Sequence, residues 1–134
     1  MYTCDVQQRI RYGETDQMGY VYYGRYAEFY EIGRTELIRL MGITYRDLEL
    51  KGIMLPVIKM VAKYYKPASY DEMITIRTTL RTMPTARITF FYEIFSEAGE
   101  LINEAEVQLV FTHAQTRKPM RPPQNLLDAL HPYF

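Results

Sequence analysis

The sequence predicts an α+β fold in which one long helix packs against a curved antiparallel sheet. Three observations carry this. Residues 26–40 place Tyr26, Phe29, Tyr30, Gly33, Leu37 and Leu40 at spacings of three or four, which is one apolar helix face. Residues 55–112 instead carry β-branched and aromatic residues in alternation, broken by short turns. Those tight turns exclude a doubly wound parallel sheet, whose strands need long crossovers. A single helix laid along a single curved sheet buries both apolar faces.

The elements follow in order. Residues 5–12 supply an N-terminal strand. The helix opens near Gly24 and ends near Gly42, a candidate C-terminal cap, with Arg34, Glu36 and Arg39 turned away from its apolar face. Gly33 weakens the helix, and a close approach of helix to sheet explains it. Residues 55–65, LPVIKMVAKYY, form a strand long enough to be curved or bulged. Lys59 and Lys63 share a face with Val57 and Val61; Ile58, Met60, Ala62 and Tyr64 form the other, expected to be the core face. KPASYDE at 66–72 is a turn, because Pro67 stops the ladder and Asp71 favours turns. Residues 73–82 alternate Ile74, Ile76 and Leu80 against Thr75, Arg77 and Thr79. Residues 83–86 are a turn, 87–96 a strand and EAGE at 97–100 a hairpin turn. Residues 101–112 close a four-stranded meander, with Leu101, Ala105, Val107, Leu109 and Phe111 on one face. Glu104, Glu106 and Gln108 lie on the other, facing solvent or a subunit interface.

Composition narrows the function classes. The 134 residues suit one domain, 1–134, with a core that needs no disulfide or metal. Cys4 is the single cysteine and no secretory signal is present, which suggests a reducing cytoplasm. No segment approaches the length of an apolar membrane span. Sixteen basic and sixteen acidic side chains cancel, so no global field attracts nucleic acid and any anion site is local. His113, His131 and Cys4 lack metal-ligand spacing, and Gly-rich phosphate loops and Gly-x-Ser-x-Gly elbows are absent. Neither a metal nor a cofactor is expected.

Residues 14–31, ETDQMGYVYYGRYAEFYE, carry the most chemistry. Asp16 sits in a turn, Gly19 follows, and a tyrosine-rich segment feeds the helix. A loop carboxylate there can act as acid, base or nucleophile, and the first helical N–H groups are unpaired donors able to polarise a carbonyl. The plainer alternative is that Asp16 only closes its turn. Glu28 and Glu31 fall in the first helical turns, where carboxylates suit the dipole.

Three segments carry a family resemblance: TDQMGYVYYGRYAEFYEIGRTEL at 15–37, KMVAKYYKPASYDEMITI at 59–76 and NEAEVQLVFTHAQTRKPMRPP at 103–123. The first holds Asp16, Gly19, Val21, Tyr22 and Tyr26 in an Asp-x-x-Gly-x-Val-x-x-x-x-Tyr pattern. The second holds a Tyr-x-x-Pro-Ala-x-x-Asp core. In these the chain resembles the hotdog-fold acyl-CoA thioesterases of the 4-hydroxybenzoyl-CoA thioesterase and YbgC-like group. The resemblance implies hydrolysis of an acyl-CoA thioester, with Asp16 as nucleophile or general base. Backbone N–H groups around Tyr23 and Gly24 would hold the oxyanion. Gly19, Tyr22, Tyr23 and Tyr26 are candidates to contact the acyl group, the alternative for the tyrosines being core packing at helix spacing. YbgC-like members often carry histidine where Tyr23 stands; its replacement removes a proton shuttle and leaves Asp16 as the acid–base group. The CoA phosphates need a local basic site, for which Lys59, Arg87, Arg117, Lys118 and Arg121 are candidates, the alternative being solvated charges. Relatives join sheets edge to edge, so a homodimer or homotetramer with the active site at the interface is expected. Other readings are acyl-carrier protein as carrier, a non-catalytic acyl-CoA binder, and a dehydratase-like hotdog enzyme; the last needs a histidine that 14–31 lacks.

Overall fold

The computed structural model describes residues 1–134. The first strand, β1 (Tyr2–Arg9), starts and ends three residues earlier than expected. Arg9 is its last paired residue; Ile10 then leaves the ladder, fully buried, while its N–H bonds the Glu72 carbonyl at 2.9 Å. Short 3-10 turns at Tyr12–Glu14 and Tyr23–Arg25 lead into α1 (Tyr26–Leu40).

Helix α1 buries Tyr26, Phe29, Tyr30, Gly33 and Leu37, and adds Ile38. Two expectations need correction. Leu40 is 64% exposed: the chain turns at Gly42, whose φ is +81°, and Ile43 fills the core position instead. Arg34 is buried, its guanidinium beside the phenols of Tyr45 and Tyr92. It neighbours Gly33, where the helix is pressed hardest onto the sheet. A Cβ at Gly33 would lie 2.2 Å from Thr78 Oγ1 and 3.1 Å from Ile76 Cγ2, so the close approach holds.

The chain continues through α2 (Tyr45–Leu50), β2 (Ile53–Met54), β3 (Val57–Tyr64), β4 (Met73–Leu80), β5 (Arg87–Phe95), β6 (Leu101–Val110), β7 (Thr112–His113) and α3 (Gln124–Leu130). Thr44 and Asp47 close a capping box on α2. Strands β2 and β7 pair apart; the other five form one antiparallel sheet in the order β1-β4-β5-β6-β3. The alternation of β4 and β5 puts Ile74, Ile76, Leu80, Phe90 and Ile94 on the face toward α1.

The meander therefore covers β4 to β6 only. Strand β3 does not pair with β4 but lies at the far edge beside β6. Residues 65–72 are a crossover, not a hairpin turn. Eight extended residues reach roughly 26 Å, enough to pass the width of two intervening strands, about 14 Å. As an edge strand with one neighbour, β3 is exposed on both faces. Of its expected core face only Ala62 is half-buried, while Ile58, Met60 and Tyr64 are 47%, 47% and 49% exposed. Its ladder is irregular between Val57 and Lys59, as its length suggested.

Candidate active site

Asp16 builds its own turn. Its N–H bonds the Tyr20 carbonyl at 2.8 Å and its carbonyl accepts from Gly19 at 3.1 Å. Gly19 sits at φ +80°, a conformation that favours glycine. Asp16 Oδ1 accepts from the Met18 N–H at 2.9 Å and the Tyr20 N–H at 3.3 Å. The side chain is exposed, and Oδ2 has no donor within the protein. One oxygen closes the turn and the other is free.

This loop is fastened on two sides. Toward the crossover, the Val21 N–H bonds Ala68 at 2.9 Å and the Tyr70 N–H bonds Gly19 at 3.2 Å. Toward the helix, the Tyr22 N–H bonds the Glu14 carbonyl at 3.0 Å, and Arg25 Nη2 donates to the Gly13 carbonyl at 3.3 Å. Glu14 is buried, its Oε1 taking the Arg11 N–H at 2.7 Å. Glu14 and Arg25 thus hold Asp16 in place relative to the start of α1, and a carboxylate two residues before Asp16 was their only sequence signal.

The approach to α1 begins with donors left open. Tyr22, its cap, offers no side-chain bond; the N–H of Arg25 returns to Tyr22 and that of Tyr26 to Tyr23. The N–H groups of Tyr23 and Gly24 have no acceptor in the protein. Aromatic rings stand around them. The Tyr22 and Tyr23 rings lie 4.6 Å apart, and a Cβ at Gly24 would meet the Tyr22 ring at 2.7 Å. Tyr26 is buried edge-on against Tyr64, centroids 5.2 Å apart. Burial, then the Tyr64 phenol, pushes the Tyr26 hydroxyl up to about 12, partly offset by the Ala68 backbone. Burial and then Tyr23 raise Tyr64. The Tyr23 side chain itself is 66% exposed.

Asp16, Gly19, Tyr22, Tyr23, Gly24 and Tyr26 therefore share one end of the molecule. The basic candidates do not join them. Arg87 opens β5 opposite Val110, where β6 ends. Arg117 and Lys118 lie in a turn bonded to His113, and the Met120 N–H to Phe111 brings Arg121 to the same exit. That end lies about one β3 length, roughly 23 Å, from Tyr64. All five basic side chains are exposed, and only Lys59 has an ion-pair partner, Glu106 at 3.8 Å. A concavity of about 890 Å³ lies on the outer sheet face between Asp5, Arg77, Glu93, Glu104 and Lys63, away from Asp16. Arg77 is held there by Asp5 through bonds of 2.9 and 3.0 Å, and the lining offers no helix N-terminus.

A profile of the Thioesterase-like superfamily matches residues 10–130. The acyl-CoA thioester hydrolase YbgC of Escherichia coli O157:H7 is 34% identical over 119 residues, 89% of each chain. The solved DHNA-CoA thioesterase of Staphylococcus aureus superposes with a TM-score of 0.87 at 34% identity, covering 100% of this chain and 85% of that one. A 4-hydroxybenzoyl-CoA thioesterase solved with 4-hydroxybenzoyl-CoA superposes at 0.84 and 20% identity, covering 95% of this chain and 97% of that one, which is a likeness of fold. On this profile match and these relatives, the chain belongs to the Thioesterase-like superfamily and has the hotdog fold.

Proposed function

We propose that residues 1–134 act as a single thioesterase domain that hydrolyses an acyl-CoA thioester to the free acid and CoA. The observation that carries this is the free Oδ2 of Asp16, on a loop fastened to the approach to α1, where two N–H groups lack acceptors. The thioester carbonyl oxygen takes those N–H groups. The dipole of the 15-residue α1 favours the negative charge that develops there. Asp16 either attacks the carbonyl carbon, giving an anhydride that water opens, or takes a proton from the attacking water. In both routes the C–S bond breaks and CoA leaves as the thiolate. The relatives at 34% identity, named for acyl-CoA and DHNA-CoA hydrolysis, support the substrate class.

The same reading calls for a second copy. The β3 edge is open, and a two-fold axis beside it pairs two β3 strands antiparallel, which reverses their ends. The Arg87, Arg117, Lys118 and Arg121 end of one copy then stands near the Asp16 end of its partner. The basic residues that one chain keeps far from its own Asp16 become candidates for the CoA phosphates of the neighbouring site. Thiol release from a panel of aromatic, short-chain and long-chain acyl-CoAs tests the activity. Hydrolysis of at least one class is expected; none on any of them contradicts the reading.

A further inference from the structure

Asn103 is a fully buried amide, one of the few polar side chains inside the protein. Its inward aim follows from the alternation of β6, which sets it on the core face with Ala105, Val107 and Leu109. Strand β6 pairs Asn103 with Ile94 and Leu101 with Phe95, which leaves Ile102 as an extra residue. Such bulges re-aim side chains, and here the bulge turns Ile102 inward beside Asn103, so that two successive residues are buried. The amide reaches two other elements. Its Oδ1 accepts from the Tyr30 hydroxyl of α1 at 2.5 Å, and its Nδ2 donates to the Lys63 carbonyl of β3 at 3.0 Å. One side chain thus ties the helix to the edge strand through β6.

Lys63 passes directly into Tyr64, whose ring meets Tyr26 at 82°. Tyr26 is the first residue of α1, directly after the turn that carries the open N–H groups of Tyr23 and Gly24. Tyr64 is 49% exposed, with one side on Tyr26 and the other open beside the helix start. The Asn103 bonds hold the end of β3, and so Tyr64, at a fixed distance from α1.

We propose that Asn103 is a positioning residue that fixes Tyr64 against the start of α1, and that Tyr64 bounds the acyl group there and sets which acyl chains are accepted. The assignment rests on the thioesterase reading above. The experiment compares kcat/KM for butyryl-CoA and decanoyl-CoA in the wild type, Tyr64→Ala, Asn103→Leu and the double variant, each checked for folding by thermal melt. Tyr64→Ala is expected to lower the butyryl-to-decanoyl ratio about tenfold, through KM more than kcat. Asn103→Leu should move the ratio the same way, and add nothing in the Tyr64→Ala background, because it acts through Tyr64. Should Asn103→Leu fail to fold, Tyr30→Phe removes one of its two bonds with no change of ring volume and takes its place. A ratio unmoved by Tyr64→Ala, or additive effects in the double variant, overturns the assignment while the activity stands. A wild type that hydrolyses no acyl-CoA overturns the thioesterase reading and this one with it.

Discussion

At the residue scale, Asp16 closes its turn, the plainer of the two readings its sequence position allowed. Oδ1 closes the turn and Oδ2 is free, so the turn and the proposed chemistry call on different atoms of one carboxylate. The Asp-x-x-Gly spacing made this legible, because Gly19 supplies the positive φ that the turn requires. Arg34 was not legible: on a helical wheel it leaves the apolar face, yet its guanidinium is buried beside the phenols of Tyr45 and Tyr92, which come from distant parts of the chain. Alternation along β6 sets Asn103 on the face of Ala105 and Val107, but its partners on α1 and β3 were hidden, since they lie 73 and 40 residues away in the chain. Gly24 carries a prediction at this scale. A Cβ there meets the edge of the half-exposed Tyr22 ring, a side chain able to move, rather than backbone. Gly24→Ala should fold with a stability change of about 1 kcal/mol or less. Steady-state kinetics should show kcat reduced about tenfold, as the displaced ring disturbs the open N–H groups.

At the element scale, periodicity revealed α1 and the strands, but not the place of β3. An edge strand and a central strand share one alternating pattern. Here the neighbours are decided by the 65–72 crossover, which packs on the Asp16 loop through the Val21–Ala68 and Tyr70–Gly19 bonds. The capping box of α2 was written in the sequence as Thr44-x-x-Asp47, a signal that a search for long helices passes over. The open edge of β3 gives the second prediction. The paired substitutions Ile58→Lys and Met60→Lys put charge on that edge, a common defence against pairing. Light scattering should show the wild type as a dimer or larger at micromolar concentration, and the variant as the 15.9 kDa monomer. Thioesterase activity should fall with the assembly, at least about tenfold, if each site draws on two copies. A monomeric wild type at micromolar concentration contradicts the account.

At the scale of the whole molecule, charge and burial give two more tests. Removing Arg117, Lys118 and Arg121 should raise KM for CoA esters about tenfold at low salt, and less as salt screens the contact. N-acetylcysteamine thioesters, which lack the phosphates, should be hydrolysed as before. Equal losses on both substrates would place the damage in the fold or at Asp16. The second test is alkaline stability. Burial above all raises the phenols of Tyr26, Tyr30 and Tyr92, Tyr26 to about 12. The folded state therefore holds these groups neutral after the unfolded chain has begun to ionise them. Their stabilisation is complete below the unfolded value of about 10 and is lost as pH rises toward the folded values. Thermal melts should fall steeply above about pH 10, with phenolate absorbance from these three rings rising only as the protein unfolds. Free titration of every tyrosine in the folded state would show that the rings are not buried as described.

The central claim is that Asp16 performs the chemistry, and Asp16→Asn tests it most directly. Asn keeps the size and the Oδ1 acceptor that closes the turn, while removing the charge and basicity at Oδ2. Measured on the best acyl-CoA substrate, kcat should fall about 100-fold or more with KM little changed, while stability moves by about 1 kcal/mol or less. A folded Asn variant that hydrolyses acyl-CoA at the wild-type rate would contradict the account.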